Sequence, residues 1–124
     1  LGAMPPALAA QDAPDALRGK TIYARCAACH ALAFDRVGPR HCGLFGRRAG
    51  NVPDFAYSPA MKQSAIVWDE KALDRFLAAP MKAIPGTTMT YDGVHDRRER
   101  ADLIAYLRQV DRTDACRRSP PLQR

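Results

Sequence analysis

Cys26-Ala27-Ala28-Cys29-His30 sets two thiols and an imidazole within five consecutive residues. C-x-x-C-H is the spacing at which haem is attached covalently. Both sulfurs can add to the vinyl groups of one porphyrin, forming thioethers, while His30 turns its ring under the iron as an axial ligand. Part of the pattern serves two other chemistries. A thiol-redox C-x-x-C belongs in a βαβ setting, for which the chain has no strand signal. A zinc site needs further donors, and with no second C-x-x-C pair only His41-Cys42 could be enlisted.

A second candidate ligand is a thioether. Met4 lies in an Ala- and Pro-rich start, and Met61 and Met81 fall on or just after predicted helices. Met89 alone closes a Pro- and Gly-braced loop, Pro85-Gly86-Thr87-Thr88-Met89, which can hold a sulfur at the edge of a cavity. Methionine is also a common core filler, so by itself Met89 carries less weight than the cysteines.

The elements that must position these groups read as helices. The first runs from Asp15 to about Ala28, with Leu17, Ile22, Tyr23 and Cys26 near one face. Gly19 inside it costs about 1 kcal/mol relative to Ala, so a close backbone crossing is expected there. Ser58 is an N-cap with Pro59 at the first helical position. Asp69 opens a third helix, Glu70 to Ala79, stopped by Pro80. Asp96 with Glu99 three residues on imitates a capping box. Leu103, Tyr106, Leu107 and Val110 then form an apolar stripe at helical spacing, to be paired with the first helix. Residues 31–57 are a long loop that nonetheless carries Leu32, Phe34, Val37, Leu44, Phe45, Phe55 and Tyr57. A loop of this length in a compact domain is normally functional or disordered, and a large flat cofactor would give its apolar side chains a surface. The chain therefore reads as all-α with much irregular backbone: residues 1–14 an unstructured start, 15–116 one domain, 117–124 a frayed tail.

Composition agrees with a small globular domain of 124 residues, 47% hydrophobic and 26% charged, with a formal charge of +6. No segment approaches the roughly 20 apolar residues of a membrane span. The basic residues alternate with acids and show no aromatic interleaving, so an acidic protein partner fits better than nucleic acid.

With these motifs in order, the chain resembles class I cytochrome c, in particular the mitochondrial cytochromes c and bacterial cytochromes c2. The residues that carry the likeness are C-x-x-C-H, Gly38-Pro39, Gly-Leu-Phe-Gly-Arg at 43–47, Tyr57, Trp68, Pro85-Gly-Thr-x-Met89 and Asp-Leu-Ile-Ala-Tyr-Leu at 102–107. It spans about Gly19 to Val110. The resemblance implies the cytochrome c fold, with terminal helices crossing and long loops wrapped around one covalent haem c. It implies haem attachment at Cys26 and Cys29, iron ligation by His30 and Met89, and a Pro39 carbonyl accepting from His30. Arg47, Tyr57, Trp68 and Thr87 are implied donors to the haem propionates, and Cys42 is implied to lie near Cys116, within disulfide reach. Without the resemblance, Tyr57 and Trp68 could be plain core and Arg47 a solvated surface group.

The implied function is a non-enzymatic, monomeric carrier of single electrons in the periplasm, exported with a signal peptide that is then removed. Its implied partners are redox proteins with acidic docking surfaces: an oxidase, a quinol-oxidising complex, a reaction centre or a periplasmic dehydrogenase. There are departures from the family pattern. Phe76 stands where a Tyr often faces the methionine sulfur, and Met81 and Thr88 replace lysines of the mitochondrial forms. The loop between His30 and Pro39 is shorter. A haem enzyme or gas sensor with a labile Met89 is the alternative, and His41 is a possible rival for the second axial position. His95, ahead of the Asp96 cap, is expected to face solvent.

Overall fold

The computed structural model describes Gly2 and residues 13–117, so the two expected unstructured ends lie almost wholly outside the described residues. Within them the chain forms α1 (Ala16–Tyr23), α2 (Pro59–Gln63), α3 (Glu70–Ala78), α4 (Pro80–Ala83), α5 (Arg97–Val110) and α6 (Asp114–Arg117). Among the described residues the only β pairing is an isolated antiparallel bridge between Arg48 and Val67.

Capping explains where most helices begin. The Asp15 carboxylate accepts from the Leu17 and Arg18 N–H groups, Ser58 Oγ from Met61, Asp69 from Ala72 and Asp96 from Glu99. The capping box is only half formed, because the Glu99 carboxylate instead takes both terminal nitrogens of Arg25, at 3.0 and 2.9 Å. Pro80 does end α3, but it also begins the short helix α4, since proline at a first helical position loses no needed hydrogen bond. The first helix stops at Tyr23 rather than near Ala28. From there the bonds tighten to three-residue spacing, with Arg25 N–H to Ile22 and Cys26 N–H to Tyr23, so residues 24–29 wind as turns. Leu17 is exposed and not part of the buried face, which is Gly19, Ile22 and Tyr23.

The core forms where α1 crosses α5. Leu103, Leu107 and Val110 are buried there, with Tyr106 partly covered. Gly19 makes the crossing possible: a Cβ at this position would be driven into the Asp102 carbonyl and lie 2.8 Å from Tyr106 Cβ. The Asp102 side chain, fully buried, ties the same crossing electrostatically. It accepts from the Asp15 N–H at 2.7 Å and from Arg18 Nε at 2.8 Å, with Arg98 3.7 Å away. Burial alone would raise its pKa. The Asp15 N–H and the two guanidiniums outweigh that and hold it below the usual carboxylate range. On the other side of α5, Arg100 is buried and joins Asp74 of α3 to the Val94 and His95 carbonyls.

Two predictions follow from the crossing. Gly19→Val should destabilise the protein by at least about 3 kcal/mol, or prevent folding, as read by urea denaturation; an unchanged midpoint would contradict the close approach. Asp102→Asn should cost about 1–3 kcal/mol at neutral pH. Because the folded pKa is depressed, that difference should be complete above the unfolded value of about 3.9 and vanish as pH falls through the folded one. Denaturation curves of both proteins from pH 7 to pH 2 check this.

Candidate functional site

The turn leaving α1 carries the reactive cysteines. Both Cys29 and His30 donate their N–H to the Cys26 carbonyl, at 3.1 and 2.9 Å, which brings the three side chains onto one tight turn. Arg36 donates to the Ala27 carbonyl and closes the turn from outside. Cys26 is partly buried, and that burial raises its thiol pKa, while Cys29 is exposed; neither is in a disulfide.

His30 is held on several sides. Its Nδ1 lies 2.8 Å from the Pro39 carbonyl, a geometry in which Nδ1 carries the proton and donates it. Gly38 packs its backbone on the ring so closely that a Cβ there would collide with Cε1, Nε2 and Nδ1. Burial lowers the His30 pKa more than the Pro39 carbonyl raises it, so the ring is neutral near pH 7 and Nε2 keeps a free lone pair. A neutral imidazole with one nitrogen bonded to a carbonyl is the form in which histidine ligates a metal.

A second group of predicted residues meets where two loops pair. Gly46 N–H donates to the Trp68 carbonyl and Trp68 N–H to the Arg47 carbonyl, which joins the 43–49 segment to the 66–68 segment. Trp68 is buried against Phe76, ring centroids 5.2 Å apart. Arg47 gives one terminal nitrogen to the Cys42 carbonyl, yet its Nε is buried without a partner, and burial lowers the guanidinium pKa. Tyr57 accepts from the Val52 N–H, which leaves its own hydroxyl proton for another acceptor. Thr87 likewise accepts from the Met89 N–H, with its hydroxyl proton uncommitted. Met89 is partly buried and packs against the core, as do Leu32, Phe45, Met61, Ile66 and Tyr91, each also only partly covered.

These features fit a haem. The half-covered apolar side chains need a flat apolar body, and a buried guanidinium nitrogen with no acceptor needs a carboxylate. Cys26, Cys29 and His30 can hold the ring and iron, and Arg47, Tyr57 and Thr87 have hydrogens to give to propionates. Arg40, not singled out from the sequence, also has a buried Nε that makes no hydrogen bond, although the Asp35 carboxylate lies 3.9 Å from it, and it sits next to Pro39. Its only sequence signal was that adjacency. The zinc alternative loses its donors. Among the described residues no three His, Cys, Asp or Glu are grouped to hold a metal, and Cys42 is bonded to Cys116, with an S–S distance of 2.05 Å. His41 is not placed to bind the opposite face of an iron from His30, because the two rings stack on each other, centroids 4.2 Å apart. His95 is exposed, as expected, with Nε2 near the Asp92 carbonyl and carboxylate.

Comparison with known proteins decides the family. The sequence pattern described as Cytochrome c matches residues 16–111. The chain is 41% identical over 111 residues to cytochrome c2 of Blastochloris viridis, covering 84% of this chain and 87% of that protein. It is 41% identical over 99 residues to cytochrome c of Euglena viridis, covering 77% of this chain and 97% of that protein. The solved structure of cytochrome cH from Methylobacterium extorquens superposes with a TM-score of 0.75 at 40% identity, over 77% of this chain and 98% of that one. The chain belongs to the cytochrome c family. Cytochromes of this family carry covalently bound haem c, one per domain, and transfer electrons. The all-α architecture is theirs as well.

Thiol titration of the unfolded holoprotein without reductant should find no free thiol, two cysteines being spent on the haem and two on the Cys42–Cys116 bond. Two reactive thiols would show that bond to be absent.

Proposed function

We propose that His30 Nε2 and the Met89 sulfur are the two axial ligands of a haem c attached through Cys26 and Cys29, and that both stay bound as single electrons enter and leave. The haem supplies an iron that cycles between ferric and ferrous states. The observation that carries the reading is the His30–Pro39 hydrogen bond, 2.8 Å long, on a ring packed against the Gly38 backbone. It keeps Nδ1 protonated, aims Nε2 away from Pro39 and makes the ring a stronger donor. Met89 follows a loop in which its own N–H donates to Thr87 Oγ1, which ties the residue bearing the thioether to the preceding turn.

The remaining residues serve the same end. Arg47, Tyr57, Trp68 and Thr87 are assigned to the propionates, where charge-assisted donors offset the cost of burying carboxylates. A methionine ligand and an apolar surround both favour the ferrous state and raise the potential. With His30 and Met89 both holding the iron there would be no open position for a substrate, and the assigned role is carriage rather than catalysis. The net charge of +6 suits partners with acidic docking surfaces. An oxidase, a quinol-oxidising complex, a reaction centre or a periplasmic dehydrogenase would each fit, and export to the periplasm follows the cytochromes c2 that this chain is similar to. Among the described residues no helix is long and apolar enough to cross a membrane.

One observation favours a second reading, a haem enzyme or gas sensor in which Met89 comes off. Phe76 is buried against Trp68 and has no hydroxyl to steady a sulfur, unlike the tyrosine frequent in the family.

Met89→Ala separates the two. In the carrier, the ferric protein at neutral pH shows the weak red sulfur-to-iron charge-transfer band, which the variant loses together with a fall in reduction potential. If the parent protein already lacks the band and the variant keeps its potential, Met89 is not a resting ligand.

A further inference from the structure

From the sequence His41 was weighed as a zinc donor and as a rival ligand of the iron, and its placement beside His30 gives it a different use. Its ring lies nearly parallel to that of His30, centroids 4.2 Å apart and planes at 22°. The other edge of the ring is fixed, for His41 Nδ1 is 2.9 Å from the Tyr23 hydroxyl on α1. The backbone around it is fixed as well. His41 N–H donates to the Ala31 carbonyl and Cys42 N–H to the Leu32 carbonyl, which ties this segment to the chain just after His30. Cys42 is bonded to Cys116 of α6, and the Gly43 N–H donates to the Asp111 carboxylate at the end of α5, 2.9 Å away.

A single hydrogen bond from Nδ1 leaves an imidazole free to swing about the donor–acceptor line. The Pro39 carbonyl therefore fixes where the His30 ring is, but not the angle of its plane. Groups lying on the ring faces limit that angle, and the Gly38 backbone and the His41 ring both lie there. A stacked ring that is itself anchored can resist rotation; one free to turn could not. In a ferric haem held there, the plane of the His30 ring, together with the orientation of the sulfur ligand, would help decide which iron d orbital holds the unpaired electron, and so how spin would spread onto the haem edge.

We propose that His41, anchored by the Tyr23 hydroxyl, is a positioning residue that sets the ring plane of the proximal ligand His30. The proposal rests on the assignment of His30 as that ligand. It makes α1 contribute twice to the haem environment, through the cysteine turn and through Tyr23. It also gives the Cys42–Cys116 bond a role beyond stability, that of holding the backbone from which His41 reaches inward.

The test uses the haem-loaded protein in the ferric state. His41→Leu removes the flat face and Tyr23→Phe removes only the anchoring hydroxyl, with Tyr106→Phe as a neighbouring control whose ring centroid is 5.5 Å from that of Tyr23. Proton NMR of the haem methyl groups, whose contact shifts follow the axial imidazole plane, is the readout. The expected result is a changed order or spread of the methyl shifts in His41→Leu, a smaller change of the same kind in Tyr23→Phe, and none in Tyr106→Phe. If a parent protein with low-spin His–Met spectra gives both variants its own methyl pattern, even with lowered stability, His41 is only a packing residue and the proposal falls alone. A parent protein without low-spin His–Met spectra would overturn it together with the ligand assignment.

Discussion

Where α1 crosses α5, the missing side chain at Gly19 lets one backbone lie on the other, and the place of the turn proposed to carry the haem follows from that contact. The crossing fixes the direction in which the chain leaves Tyr23 and enters the Cys26–His30 turn. It also places the end of α5, where Asp111 takes the Gly43 N–H and α6 reaches Cys42. The loop behind His30 is thus pinned from the far end of the chain. Asp102 gives the contact a polar lock in which a fully buried carboxylate is matched by a backbone donor and two cations. Buried charge is tolerated where it is paired and hydrogen-bonded, and here it fixes which residues of the two helices meet.

The haem pocket is organised by incompleteness. Apolar side chains of the 31–57 loop and of the Met89 loop are covered only in part, and Arg40 and Arg47 each bury an Nε that makes no hydrogen bond, that of Arg40 lying 3.9 Å from the Asp35 carboxylate. Such arrangements are costly unless another group completes them. The same logic explains the amount of irregular backbone. Loops 31–57 and 84–96 need not pair with one another when a flat, rigid body can receive their side chains, so their backbone hydrogen bonding consists of turns, caps and short contacts such as His41 with Ala31, Cys42 with Leu32, Trp68 with Arg47 and Val94 with Leu77.

Much of this was legible in the residues. The C-x-x-C-H turn, the Asp69 and Asp96 caps, the Pro59 start, the crossing glycine and the apolar stripe of α5 are local signals, each set by neighbours in sequence, and each was readable for that reason. The helix boundary at Tyr23 was not, because the apolar pattern continues to Cys26 while the bonding changes to tighter turns. The exposure of Leu17 also escaped, since periodicity does not say which of two candidate faces the partner helix will cover. The buried Nε of Arg40 and the stacking of His41 on His30 could not be read at all. Both depend on contacts across the fold, His41 with His30 and Tyr23, Arg40 with the burial of one nitrogen, and neither residue belongs to a spaced motif. The pairing of Cys42 with Cys116, 74 residues apart, was reachable only through family resemblance, since four cysteines leave the partners open. Closing so long a loop is worth about 4 kcal/mol in the chain-entropy account, which suits a small domain whose core is completed by a cofactor.

The proposed carrier needs an iron that His30 and Met89 both hold, so that electrons pass and small molecules do not bind. Adding carbon monoxide to the reduced holoprotein at neutral pH and following the Soret band addresses this directly. A spectrum that stays unchanged over minutes is the predicted result. Rapid conversion to a carbon monoxide adduct would mean that Met89 does not hold its place, and that the protein binds small molecules at its iron.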